Sequence, residues 1–197
     1  MEVKVITDIV GDVVPLQVVK NYLRIDEDYT HDDVNLGILM ASARQKLEKF
    51  TNLSFGKKTL QVQFDQPIFE LPYGPVDKSS IQIETVETTP EAITDFKITG
   101  LNFPTIYLDN FVNAEFFYPI NQGIPQIWSG NFGCGLWNVT YNAGYGQTTT
   151  GGFPIELTHA LLLQIDHDFK HLGRADAGIS QVALEKAFPF SRNLTIQ

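Results

Sequence analysis

The sequence predicts an α+β fold, with N-terminal and C-terminal helices forming a small helical bundle and a large antiparallel β-rich insertion between them. Apolar residues recur every three or four positions near both ends of the chain. They alternate with polar residues through the middle, and Pro, Gly, Asn and Asp cut that middle into short runs. The expected organisation is 1–57 as N-terminal helices, 58–141 as the β-rich insertion, and 142–197 as C-terminal helices and an extended tail, all within one structural unit. A chain of 197 residues is long enough to bury one core.

Pro15 starts a short helix to about Ile25, because proline suits the first helical position and Val18, Val19, Tyr22 and Leu23 follow at helical spacing. Acidic residues Asp26 to Asp28 then connect to a second helix, which Thr30 and Asp33 are placed to open as a capping box. Its apolar stripe is Leu36, Leu39, Met40, Ala43, Leu47 and Phe50. Arg44, Gln45, Glu48 and Lys49 are expected on its solvated face, and Asn52 at its end.

From Lys58 the period changes to two: Leu60, Val62 and Phe64 fall on one face of a strand, Gln61 and Gln63 on the other. Further strands are expected at Phe69–Leu71, Ser80–Val86, Phe96–Thr99, Thr105–Leu108, Ala114–Tyr118 and Leu136–Tyr141. Short strands so spaced suit an antiparallel sheet or small sandwich. After the Gly- and Thr-rich stretch 142–152, Pro154 restarts a helix striped by Leu157, Leu161, Ile165, Phe169 and Leu172, with Gly173 as its stop. Ser180 is placed to cap a last helix of about ten residues, ended by Pro189. Residues 190–197 are expected to be extended.

Hydrophobic residues at 43% against 19% charged place the chain among ordered globular proteins. The single cysteine, Cys134, excludes an intrachain disulfide and a Cys-based zinc or iron–sulfur site within one chain. Acidic Glu2 and Asp8 in the first ten residues do not suit a signal peptide. No run approaches the roughly 18 apolar residues of a membrane span, so no membrane partner is expected. A net charge of −9 argues against tight wrapping of a phosphate backbone, which depends on clustered Lys and Arg.

His167 and His171, four residues apart on a helix beside Asp166 and Asp168, are spaced to share a metal, and His159 falls on a similar face. The metalloprotease pattern is missing, since Asp168 rather than Glu follows the first His. The alternative is that His171 interacts with the carbonyls of its helix end while His159 and His167 are partly buried polar groups. The Gly-rich stretches 130–135 and 144–152 have neither a Walker lysine nor a dinucleotide fingerprint. Without a nucleophile elbow or an identifiable base near Cys134, no catalytic residue, cofactor or metal is assigned, and no enzyme is expected. Phe116, Phe117, Tyr118, Trp128, Phe132 and Trp137 could form a stacking platform, but few basic residues accompany them. Ile120, Ile124, Ile127, Trp128 and Phe132 make the 119–136 loop too apolar to face water alone, and are expected at a subunit or tail interface.

Several stretches, in order, resemble the tailed-bacteriophage head-to-tail connector family, the adaptor or head-completion proteins of the portal vertex. Val14-Pro15-Leu16 with Val19 to Asp26 resembles its opening helix, and His31 to Val34 through Arg44 and Glu48 to Thr51 its second. Glu70 to Val76 is similar to its L-P-x-x-P-V turn, and Val139-Thr140-Tyr141-Asn142-Ala143-Gly144-Tyr145-Gly146 to its V-T-Y-x-A-G-Y-G segment. Phe153 to Leu163 resembles its proline-started helix, and Ala183 to Arg192 its C-terminal region. The stretch between Thr88 and Trp137 is longer than in the family.

The resemblance implies a structural virion protein at the neck, present in the host cytoplasm during assembly. It implies a dodecameric ring of copies docked beneath the portal protein, contacting tail or neck proteins and extending the channel for double-stranded DNA without binding it tightly. It places portal docking in the C-terminal helix and tail, at Phe188, Pro189, Phe190, Arg192, Leu194 and Ile196. Negative charge suits a channel wall poor in Lys and Arg. Rival readings are a stopper or tail-completion protein of the same neck, a metal-dependent hydrolase using the His-rich helix, and a carbohydrate-binding β-module.

Overall fold

The computed structural model describes residues 2–9, 11–86, 89–101, 103–108, 136–146, 152–172 and 178–191. They form an α+β fold of helices and mostly antiparallel sheets. The described strands are β1 (Glu2–Thr7), β2 (Lys58–Phe64), β3 (Ile68–Glu70), β4 (Val76–Thr85), β5 (Ala92–Ile93), β6 (Phe96–Thr99), β7 (Thr105–Leu108) and β8 (Trp137–Ala143). The helices are α1 (Leu16–Leu23), α2 (Asp33–Thr51), α3 (Ile155–Lys170) and α4 (Gln181–Ala187), which a 3-10 turn, Phe188–Phe190, continues. Two compact units result, one from Met1–Ile6, Thr59–Leu71 and Val76–Asn142, the other from Thr7–Lys58, Pro72–Pro75 and Ala143–Gln197.

The first unit holds two sheets. One has the order β1-β2-β8-β4-β5 and the other β3-β7-β6. Ile68–Glu70 runs antiparallel to Thr105–Tyr107, and Phe96–Thr99 antiparallel to Thr105–Leu108, so β7 is the central strand of the smaller sheet. Strict alternation in β2 buries Leu60, Val62 and Phe64, and in β8 it buries Trp137, Val139 and Tyr141. The Phe64 and Phe69 rings stack 4.0 Å apart. Strands β6 and β7 have the bounds that their alternation predicts. Strand β1 was not expected in a segment read as helical: as an edge strand it exposes adjacent Val5 and Ile6, so it shows no period of two. The two-residue β5 is too short to show any period. Ala114–Tyr118 lies outside the described residues.

In the helical unit, α2 and α3 contribute Leu36, Met40, Ala43, Leu47, Leu157, Leu161 and Ile165 to the core, α1 contributes Val19, and α4 contributes Ala183 and Ala187. Arg24 and Asn52, both left-handed at φ 59° and 55°, end α1 and α2. Several expectations need correction. The capping box does not form, because the Asp33 carboxylate turns to an ion pair with Lys20 and Asp32 takes the N-cap position. Arg44 and Glu48 are buried, whereas Gln45 and Lys49 on the same stretch face solvent. On α3 the stripe ends before Leu172, which is exposed; Gln164 and Asp168 are buried in its place, and His171 caps the helix. Gly173 lies outside the described residues, as do residues 192–197, and Phe190 belongs to the 3-10 turn rather than to an extended tail.

Candidate interaction surfaces and the polar clasps that position them

Lys20 is 3% exposed, so its ammonium must exchange water for protein oxygen. Its Nζ donates to the carbonyls of Glu27 at 3.2 Å and Tyr29 at 2.9 Å, and lies 2.6 Å from Asp33 Oδ1. Two carbonyls thus accept hydrogen bonds from the ammonium group, and the Asp33 carboxylate balances its charge. One side chain of α1 thus fixes the acidic connection and the first turn of α2.

A second clasp surrounds Glu48. Its Oε1 accepts from the Phe55 N–H at 2.7 Å, its Oε2 from Lys58 Nζ at 2.9 Å, and Arg44 Nη1 stands 3.8 Å from Oε2. Arg44 also donates to Asp8 Oδ1 at 3.3 Å. Partial burial opposes charge on Asp8, but the Ile9 N–H, the Arg44 hydrogen bond and the charges of Arg44 and Lys58 outweigh it and hold the carboxyl below its ordinary range.

Beside this clasp, residues 144–146 run against 54–56: Tyr145 and Gly146 donate backbone N–H groups to Ser54 O and Phe55 O, and Gly144 donates to Pro75 O. At φ +120°, Gly144 has a backbone that L side chains rarely adopt, and an added Cβ would strike the Gly56 carbonyl. Phe153 presents edge contacts to Phe55 at 5.4 Å and Tyr145 at 5.7 Å. The A-G-Y-G segment is therefore a close crossing of two chain segments. No phosphate cradle is needed to account for it.

A third clasp sets the last helix. Lys46 Nζ reaches Asp168 Oδ1 and Oδ2 at 2.8 and 3.0 Å, and Gln164 Nε2 donates to Asp168 Oδ1 at 2.9 Å and to Gly178 O at 3.3 Å. Gln164 Oε1 accepts the Ser180 N–H at 2.8 Å. Ser180 is the N-cap residue of α4, yet its side chain makes no capping bond; the distant amide holds its backbone instead. With Ala183 and Ala187 turned inward, Val182 and Phe188 are left 51% and 57% exposed, and Pro189 is exposed beside them. Phe190 is half-buried. Arg192, Leu194 and Ile196 lie outside the described residues, as do Ile120, Ile124, Ile127, Trp128 and Phe132.

The His-rich turn forms a stack. The His167 and His171 rings lie 4.3 Å apart at 29°, and His171 Nδ1 is 2.7 Å from the His167 carbonyl. His171 thus takes the role of a helix-end residue. Ring nitrogens hold their lone pairs in the ring plane, so two nearly parallel stacked rings do not aim them at one point. His159 is exposed. Among the described residues, no group of three or more His, Cys, Asp and Glu is arranged to hold a metal. A cleft of about 100 Å³ lined by Ile9, Val13, Met40, Arg44, Leu161 and Ile165 is well below the roughly 300 Å³ of the smallest ligand sites.

One surface escaped the sequence reading. Val34 and Ile38, one turn apart on α2, are 76% and 64% exposed. Their spacing was legible, but the stronger stripe through Leu36, Met40 and Leu47 drew the assignment of the helix's apolar face.

The chain is similar over 97% of its length to chains of three solved assemblies, and covers 95% of each of those chains. These belong to the neck of an empty GTA particle computed with C6 symmetry (15% identity, TM-score 0.72), the virion of a native gene transfer agent particle (16%, 0.69), and the neck of a native GTA particle computed with C12 symmetry (15%, 0.64). No family model and no curated protein sequence matches the chain. The fold is thus one shared with chains of phage-like particles.

Proposed function

We propose that this chain is a structural subunit of the neck of a tailed phage-like particle. Within the neck it acts as an adaptor that forms a ring beneath the portal, extends the DNA channel and carries the tail. The observation that supports this most is the extent of the likeness, which spans 97% of this chain and 95% of a chain of a GTA particle neck. The buried polar residues agree with a structural role, since Lys20, Glu48 and Asp168 are engaged in holding helices and connections together. The net charge of −9 suits a wall past which DNA phosphates move without sticking.

In this reading the portal docks on the C-terminal end. Phe188 is a large apolar side chain left 57% exposed on an element whose position the Gln164 clasp sets, and Pro189, Phe190, Arg192, Leu194 and Ile196 continue it. The 119–136 loop, with Ile120, Ile124, Ile127, Trp128 and Phe132, serves the neighbouring-copy or tail side. Mixing the protein with assembled portal from the same genome, with and without residues 180–197, tests the reading by light scattering and electron microscopy. A stacked ring that is lost on truncation is expected. Failure of the full chain to associate with the portal under any condition overturns the adaptor role and favours a stopper or tail-completion position.

A further inference from the structure

The outward face of α2 combines three features that find no use among the described residues. Val34 and Ile38 project from it at 76% and 64% exposure. Gly37 sits between them in the second turn of the helix, and glycine inside a helix costs about 1 kcal/mol relative to alanine. Among the described residues, a Cβ built on Gly37 meets nothing within 4 Å, so no contact there requires glycine. Finally, the run Val34-Asn35-Leu36-Gly37-Ile38-Leu39-Met40-Ala41-Ser42-Ala43 contains no charged residue, in a chain of net charge −9.

The charge argues for the occupant. Two copies of a −9 chain repel one another, so their contact is favoured where each presents apolar, uncharged surface, and a glycine without Cβ lets a second backbone come close. A ring adds a geometric requirement. Head-to-tail contacts around a rotation axis need a self-association face on every subunit, and the assemblies holding the similar chains were computed with C6 and C12 symmetry. From these observations we infer that the α2 face formed by Val34, Gly37 and Ile38 is a subunit–subunit contact, and that its occupant is a second copy of this chain. This inference rests on the ring reading above.

Two full-length variants test it. Val34→Glu with Ile38→Glu places charge on the face, and Gly37→Leu fills the space above it. Because all three positions are open in a single copy, both proteins are expected to keep the wild-type circular dichroism spectrum. Gly37→Leu is also expected to melt no lower than wild type, since leucine favours helix over glycine. Mixed with assembled portal and examined by native mass spectrometry and electron microscopy, wild type should form a ring and both variants should fail to close one. Rings of wild-type stoichiometry from both variants overturn the inference while leaving the adaptor role intact. Unfolding of either variant also overturns it, by showing that the face serves the single copy. No ring from wild type itself removes the adaptor reading and this inference with it.

Discussion

Lys20 illustrates how a charge is kept inside a small helical bundle: the Glu27 and Tyr29 carbonyls and the Asp33 carboxylate replace its water, and in return α1 is tied to the start of α2. Lys20→Met removes the cation and leaves those acceptors facing an apolar side chain. The expected cost is roughly 2–3 kcal/mol, seen as a lower urea midpoint at unchanged slope. Gly144→Ala meets both a φ of +120° and the Gly56 carbonyl, and is expected to cost about 3 kcal/mol or more in the same measurement, whereas Gly152, at φ +85° with open space around it, should tolerate alanine better. Asp8 supplies a pH dependence. Its folded carboxyl titrates below its unfolded value of about 3.9, so its contribution is fully present above that pH and is lost as pH falls through the lowered folded value. Urea titrations of wild type and Asp8→Asn should therefore differ at pH 7 and converge as the pH drops below about 3.9.

At the scale of elements, α4 is seven residues long and buries only Ala183 and Ala187, so its apolar anchorage is slight and the Gln164 amide carries much of its placement. Gln164→Leu removes the bonds to Gly178 and Ser180, and leaves Asp168 with Lys46 alone among the contacts described for its Oδ1 within hydrogen-bond reach. Amide hydrogen exchange across 181–187 is expected to quicken while exchange in α2 stays near wild type; equal protection in α4 would show that its packing suffices. The elements that were legible in the sequence are those whose packing imposes a period. In β2 and β8 one face is buried, so alternation in Leu60, Val62, Phe64 and in Trp137, Val139, Tyr141 marks them. The same logic hid β1, whose Val5 and Ile6 are both exposed, and β5, which has two residues. Pairwise polar contacts leave no such trace. Arg44 and Glu48 look like a solvated helix face until Asp8, Phe55 and Lys58 are brought beside them by distant parts of the chain. The candidate docking residues Phe188 and Pro189 were legible as apolar residues at the end of the last helix, while the reason for their position, Gln164, lies 24 and 25 residues earlier and gives no local signal.

For the whole molecule, charge and fold point the same way. A subunit of net charge −9 placed around a DNA path should not retard duplex DNA in a mobility shift assay at about 0.1 M salt, where screening acts over about 10 Å; stable retardation would mean that basic groups line a binding surface. The central claim, that this chain is the ring subunit next to the portal, is tested most directly by a cryo-electron microscopy map of the neck of the intact particle that encodes it. The account predicts this chain in a closed ring stacked on the portal, with the segment from Phe188 onward against it. The chain found only further along the neck, or absent from the particle, would contradict the account.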